Sequence, residues 1–349
     1  MNTPSKTVYF LGAGFSKAVA DLPTMGEFIK HEDIEKEKYV DLTIPNLSKY
    51  IKENFKKNEF YNIEEIFTYI EISVSNLGKY LSTPLRYLHK VKKETERYIY
   101  RRIETEFNSR RGEDDNFRRK YENMIHNLSP HFESAYGIIT LNYDRIIEIE
   151  NVLGKKTKKL QELINISTEE ISEKELIEEF LDNIYLKLHG SIDWFGCCNE
   201  RCSFVVKKHP VEQIFNAVEG KNKCEKCGKE LSLLIVPPSI YKTPDKFKPL
   251  IFRIWFLAYN MLQKADKVVI IGVSFAPSDY YLRWLFKSAI GSKPQDKKPK
   301  IEIVNQWSKK CSNCKEAKEY INMLSDILNI SLSYKENYKG TLEEYLNEI

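Results

Sequence analysis

The chain is predicted to be an α/β protein built on a doubly wound parallel sheet, with a helical insertion and a small four-cysteine module. Three observations carry this expectation. Short apolar runs alternate with longer helical stretches, the pattern of parallel strands joined by crossover helices. Four of those runs end in residues that bear chemistry: Gly12-Ala13-Gly14-Phe15-Ser16, Thr140-Leu141-Asn142-Tyr143-Asp144, Leu188-His189-Gly190-Ser191 and Gly272-Val273-Ser274. Residues 31–130 are instead charged, aromatic and helix-patterned, and they interrupt the alternation.

Taken in order, Thr7–Leu11 is a β-rich run that leads at once into the glycine turn, with a helix expected from about Ser16. Within the insertion, Asn62 followed by Glu65 reads as a helix start with a capping-box glutamate, and Ile63, Ile66, Phe67 and Ile70 recur at helical spacing. Thr83-Pro84 opens another helix. The insertion is expected to pack and assemble, with no chemistry of its own. Ala135–Leu141 returns to strand character, a charged helical stretch follows over 158–181, and Ile184–Leu188 is the next strand. Leu233–Val236 runs into Pro237-Pro238, where ladder pairing must stop. Residues 249–264 are helical, Lys267–Ile271 is a buried parallel strand, and Ile301–Val304 is the last strand, ending at Asn305. The expected parts are residues 1–30, 131–196 and 236–349 for the sheet domain, 31–130 for the insertion and 197–235 for the cysteine module.

Composition narrows the classes. At 349 residues, 42% hydrophobic and 30% charged, the chain can bury a large core. No apolar run approaches the roughly 20 residues that span a bilayer. No charged-then-apolar leader precedes the first strand, so a cytoplasmic location without membrane contact is expected. The net charge of +4 is small for this length. Lysine clusters at 155–159 and 297–300 read as solvated surface, and no direct sequence-specific nucleic-acid binding is expected.

Strand ends in an open sheet line one crevice. There the glycines admit a pyrophosphate close to the backbone, and the following helix N-terminus favours its charge. An amide at Asn142, a carboxylate at Asp144 and an imidazole at His189 join them. That set suits a dinucleotide whose glycosidic bond is to be broken. His189 can take a proton near neutral pH, Asp144 can accept from a carboxamide, and Asn142 can orient water or a hydroxyl without placing a charge beside a cation. Asp279 reads as a helix cap, with a ligand contact as the alternative, and Tyr143 as packing beneath the pocket.

Of seven cysteines, Cys224-x-x-Cys227 is a knuckle, and Cys197, Cys198 and Cys202 lie about twenty residues earlier, a separation that favours a four-thiolate zinc site over disulfides. The expected ligands are Cys198, Cys202, Cys224 and Cys227, with Cys197 as the alternative to Cys198. Cys311 and Cys314 form a third pair that shares a helix face or start.

The ordered set of G-A-G-F-S, T-L-N-Y-D, L-H-G-S, paired cysteines and G-V-S resembles the sirtuin family over residues 5–18, 136–146, 184–240 and 266–306. The resemblance implies a Rossmann-like NAD-binding domain, a structural zinc and cleavage of the nicotinamide–ribose bond. It implies Gly12, Ala13, Gly14 and Ser16 at the pyrophosphate, with Thr140 as a further cofactor-binding residue. Gly272, Ser274 and Asn305 would meet the ribose and phosphate of the adenosine side. Asn142, Asp144 and His189 would be catalytic. The chain departs from deacetylating sirtuins at Asp21-Leu22-Pro23-Thr24-Met25, which lacks a Phe-Arg pair, and at Leu141, which replaces a glutamine. It departs again at Ile235-Val236-Pro237-Pro238-Ser239, whose prolines remove donors that an added peptide strand would need. In these features it is similar to prokaryotic sirtuin-like NAD hydrolases of anti-phage defence, which implies hydrolysis or cyclisation of NAD, a homo-oligomer and a partner such as a HerA-type ATPase. An NAD-dependent deacylase and a non-catalytic NAD- or ADP-ribose-binding module are the competing expectations.

Overall fold

A central sheet of five parallel strands organises the chain. The computed structural model describes residues 5–74, 84–113, 115–149, 152–166, 170–199, 201–207, 221–236, 249–311 and 314–349. Its main strands are β1 (Thr7–Leu11), β2 (Gly137–Thr140), β3 (Ile184–Lys187), β4 (Gly190–Cys197), β5 (Val205–Lys207), β6 (Leu231–Ile235), β7 (Lys267–Ile271) and β8 (Lys300–Val304). The parallel sheet runs β8-β7-β1-β2-β3. Val8–Leu11 and Val268–Ile271 are buried throughout, as strands covered on both faces must be.

Register sets the strand ends level. Leu11 pairs with both Thr140 and Ile271, Thr140 with Lys187, and Ile271 with Val304. From β1 the chain builds one half of the sheet through β2 and β3, then returns to place β7 on the other side of β1. The order therefore reverses between β1 and β7, where an open α/β sheet opens its crevice.

Two glycine turns meet at that point. Helix α1 (Ala13–Ala20) follows β1 directly, with Gly12 in extended conformation as its N-cap. It thus begins three residues before the expected Ser16. Gly272 has φ +63°, and a Cβ there would lie 2.3 Å from Phe15 N, while a Cβ on Gly12 would lie 2.5 Å from Gly272 O. Backbone against backbone leaves no side chain to yield. Gly272→Ala is expected to cost about 2–4 kcal/mol from left-handed strain plus overpacking, read as a lowered urea midpoint.

The insertion contains α2 (Ile63–Val74), α3 (Leu85–Glu113) and α4 (Asp115–Ser134). Asn62 Oδ1 accepts the Glu64 N–H at 2.9 Å, so the cap is present but serves Glu64. The charged stretch expected as one helix is two, α5 (Lys155–Asn165) and α6 (Glu173–Phe180), the second opened by a Ser172–Glu175 capping box. Helices α7 (Pro249–Lys264), α8 (Tyr280–Phe286) and α9 (Lys315–Leu328) belong to the second half. Strand β4 was not expected. All eight of its residues are buried, so it lacks the alternation by which a half-exposed strand is read. It is the centre of an antiparallel sheet, β6-β4-β5, that carries the cysteine module.

One buried ion pair ties the insertion to the sheet domain: Arg145 Nη2 donates to Glu104 Oε1 at 2.8 Å, with both side chains under a tenth exposed. Removing one partner of such a pair leaves the other charge uncompensated. Arg145→Ala is expected to lose about 3–5 kcal/mol of stability, measurable by chemical denaturation.

Candidate functional site

All five strands of the parallel sheet, the four that carry candidate motifs and the one that ends at Asn305, deliver residues to one cleft of about 540 Å³. The β1–α1 turn contributes Gly12, Ala13, Gly14 and Ser16. Asn142 and Asp144 follow β2, His189 follows β3, Gly272 and Ser274 follow β7, and Asn305 follows β8. Thr140 is the exception among the expected cofactor-binding residues. It is buried in β2 beneath the cleft, where its Oγ1 donates to Leu11 O and accepts from Asn142 N–H. It shapes the loop above it.

The loop after β2 is held by a short relay. Asn142 Nδ2 donates to Gly12 O at 2.8 Å and to Ser16 Oγ at 2.7 Å, and Ser16 Oγ donates to Asp144 Oδ2 at 2.6 Å. Asp144 Oδ1 accepts Ile146 N–H at 3.1 Å. Both donors of the Asn142 amide are thus committed, which leaves its Oδ1 as an acceptor. Burial pushes the Asp144 carboxyl above the usual carboxylate range, against the opposing pull of the Lys187 ammonium and the Ser16 hydroxyl. Lys187, wholly buried, donates to the backbone carbonyl of Asp144 and to Glu148 Oε2, so a cation grips the loop from below.

His189 is fixed by its neighbours. Its carbonyl accepts Val236 N–H at 2.8 Å. Its ring lies near those of Tyr143 and Trp255, with centroids 6.2 and 6.3 Å away. Trp255 is itself anchored through Nε1–H to Leu188 O at 2.9 Å, and Tyr143 through its hydroxyl to Val236 O at 2.6 Å. Tyr143 therefore does pack against the site, as expected.

The glycine turn is more occupied than a simple anion cradle. Gly14 N–H donates to Gly272 O and Phe15 N–H to Gly12 O. Gly12 N–H is likewise committed, to Ile271 O. An anion at the turn meets the positive end of α1.

Leu22, Pro23, Thr24 and Met25, from the stretch singled out in the sequence, line the cleft, as does Asp279. Gly26, Trp307, Tyr320 and Glu64 line it too and escaped the sequence reading. Asp279 also caps α8, accepting Leu282 N–H at 3.3 Å, so its two readings coexist. Glu64 brings the insertion to the wall of the cleft. No local signal marked it, because its approach to the cleft depends on how α2 docks.

In the cysteine module, the Sγ atoms of Cys197, Cys202, Cys224 and Cys227 all lie within 4.8 Å of one another. Four thiolates around zinc at about 2.3 Å would stand about 3.8 Å apart, and Cys202–Cys224 is at 3.8 Å. The set fits a closed structural zinc site. Cys198 is not in it. Successive residues of a strand face opposite sides, so with Cys197 turned to the cluster at the end of β4, Cys198 is exposed and its N–H bonds Glu230 O. Cys311 and Cys314 form a disulfide, and Cys314 caps the start of α9. The Pro237-Pro238 segment lies outside the described residues.

No protein-family model matches the chain, and no curated protein matches it. Among solved structures, it is similar to a Sir2 homolog–NAD complex at 15% identity and TM-score 0.45, over 99% of this chain and 88% of that one. It is similar to a structure described as the basis for the mechanism and regulation of Sir2 enzymes at 14% identity and TM-score 0.43, over 99% and 90%. A Sir2–p53 peptide–NAD+ complex gives 14% identity and TM-score 0.43, over 98% and 91%. Among the described residues, no helix is long and apolar enough to cross a membrane.

Proposed function

We propose that the chain is an NAD glycohydrolase that cleaves the nicotinamide–ribose bond with water, yielding nicotinamide and ADP-ribose. The observation that carries this reading is the convergence of Asn142, Asp144 and His189 on the cleft formed by the two glycine turns. The glycine turns and the start of α1 receive the pyrophosphate. Asn142 Oδ1 orients a ribose hydroxyl or the incoming water. Asp144 places negative charge near the cationic pyridinium and retains lone pairs for its carboxamide. His189, beside Tyr143 and Trp255, accepts a proton from a ribose hydroxyl as charge develops on the sugar. The four thiolates hold zinc in a structural role, since a closed tetrahedral site has no position for water.

In the cell, this activity would deplete NAD as the effector of a prokaryotic anti-phage system, acting as a homo-oligomer with a partner such as a HerA-type ATPase. The support for that role is the ordered motif set and its departures at Leu141 and residues 21–25.

The test is a mass-spectrometric product assay with NAD as sole substrate. Equimolar nicotinamide and ADP-ribose without any acyl-lysine peptide is the expected outcome. NAD that stays intact until such a peptide is added would assign the chain to the deacylases instead.

A further inference from the structure

Three carboxylates line the cleft, those of Glu64, Asp144 and Asp279, and no lysine or arginine does so among the described residues. Two of the three already serve the fold. Asp144 accepts from Ser16 and Ile146, and Asp279 accepts the Leu282 N–H that begins α8. Glu64 differs. It stands at the start of α2, half-buried, and its Oε1 accepts the Ser278 hydroxyl at 3.1 Å. That bond joins the insertion to the loop after β7 and holds the carboxylate at the cleft, and Oε2 has no acceptor role toward any described residue. Glu64 lines the same cleft as Asn142 and His189.

Hydrolysis releases one proton from the attacking water, and in the reading above His189 is engaged with the ribose hydroxyl. We infer that Glu64 is a further catalytic residue, the base that takes this proton; the inference rests on the glycohydrolase reading. A lone pair of the water oxygen forms the bond to the anomeric carbon. The carbon–nitrogen bond breaks, with its electron pair passing to the nicotinamide ring. One water proton passes to Glu64 Oε2. Nicotinamide departs neutral, so no acid is required on the leaving side. The insertion thereby completes the site.

The experiment compares two nucleophiles on the full chain with NAD. Water must lose a proton, whereas 3-acetylpyridine attacks through its ring nitrogen and loses none. Glu64→Gln is expected to slow hydrolysis about a hundredfold through kcat at a similar KM, with pyridine exchange held within about twofold. Ser278→Ala, which frees the carboxylate, is expected to give a smaller loss of hydrolysis and intact exchange. Glu65→Gln, on the exposed side of the same helix turn, should change neither. Equal loss of hydrolysis and exchange in Glu64→Gln would reduce Glu64 to a shaping role and overturn the inference, as would unchanged hydrolysis. Wild-type protein that releases no nicotinamide would overturn the glycohydrolase reading itself, a result distinct from both.

Discussion

Asn142→Ala is expected to lower nicotinamide release from NAD by about a thousandfold, with His189→Ala losing a similar factor. The two losses have different causes. Asn142 supplies an oriented acceptor whose amide donors are locked by Gly12 O and Ser16 Oγ. Truncation removes that acceptor and also the donor that meets the Ser16 hydroxyl. Asn142→Asp is the sharper comparison. It keeps the size but removes both donors and adds a charge beside Asp144, so it should be no better than alanine. His189 supplies proton transfer, and its pocket of Tyr143 and Trp255 should persist around alanine. Steady-state rates, with folding checked by near-ultraviolet dichroism, decide the matter. The double variant should lose much less than the product of the two factors, since groups serving one transition state are not additive.

The second large effect concerns the cysteines. Purified protein should contain about one zinc per chain, and Cys197→Ser should abolish it, with a stability loss on the order of 3 kcal/mol or more. Cys198→Ser should retain the metal and unfold like the parent. The contrast is sharp because the two residues are adjacent in sequence yet face opposite ways at the end of β4. Elemental analysis of the two variants reads it directly. Metal kept by Cys197→Ser and lost by Cys198→Ser would reverse the assignment.

That contrast also shows where sequence reading reached its limit. The spacing Cys198-x-x-x-Cys202 and the spacing one residue longer are equally compatible with a knuckle. The choice depends on the parity of β4, which carried no alternating pattern because it is buried on both sides. By contrast, β7 lay where an uninterrupted Val-Val-Ile-Ile run placed it, and α7 spans the expected residues 249–264. Those elements are legible because burial on both faces of a parallel sheet and an i, i+3, i+4 stripe each leave a local signature.

The site was legible to the same degree and for a related reason. Gly12, Gly14, Asn142, Asp144, His189, Gly272, Ser274 and Asn305 all sit just past a strand end, and parallel register brings strand ends together. Glu64 and Trp307 were not legible. The first reaches the cleft through the docking of α2 and the second through the loop beyond Asn305, and neither path is written in local periodicity. Thr140 failed in the other direction. It lies inside the motif, but a position still in register with Leu11 points its hydroxyl into the sheet.

The most direct test is a structure of the His189→Ala variant with NAD bound, slow enough to keep the glycosidic bond intact. The pyrophosphate should lie at Gly12–Gly14 and Gly272, with the anomeric carbon or an adjoining ribose hydroxyl about 3–3.5 Å from Asn142 Oδ1. A dinucleotide seated with its nicotinamide ribose turned away from Asn142, or bound outside this cleft, would contradict the account.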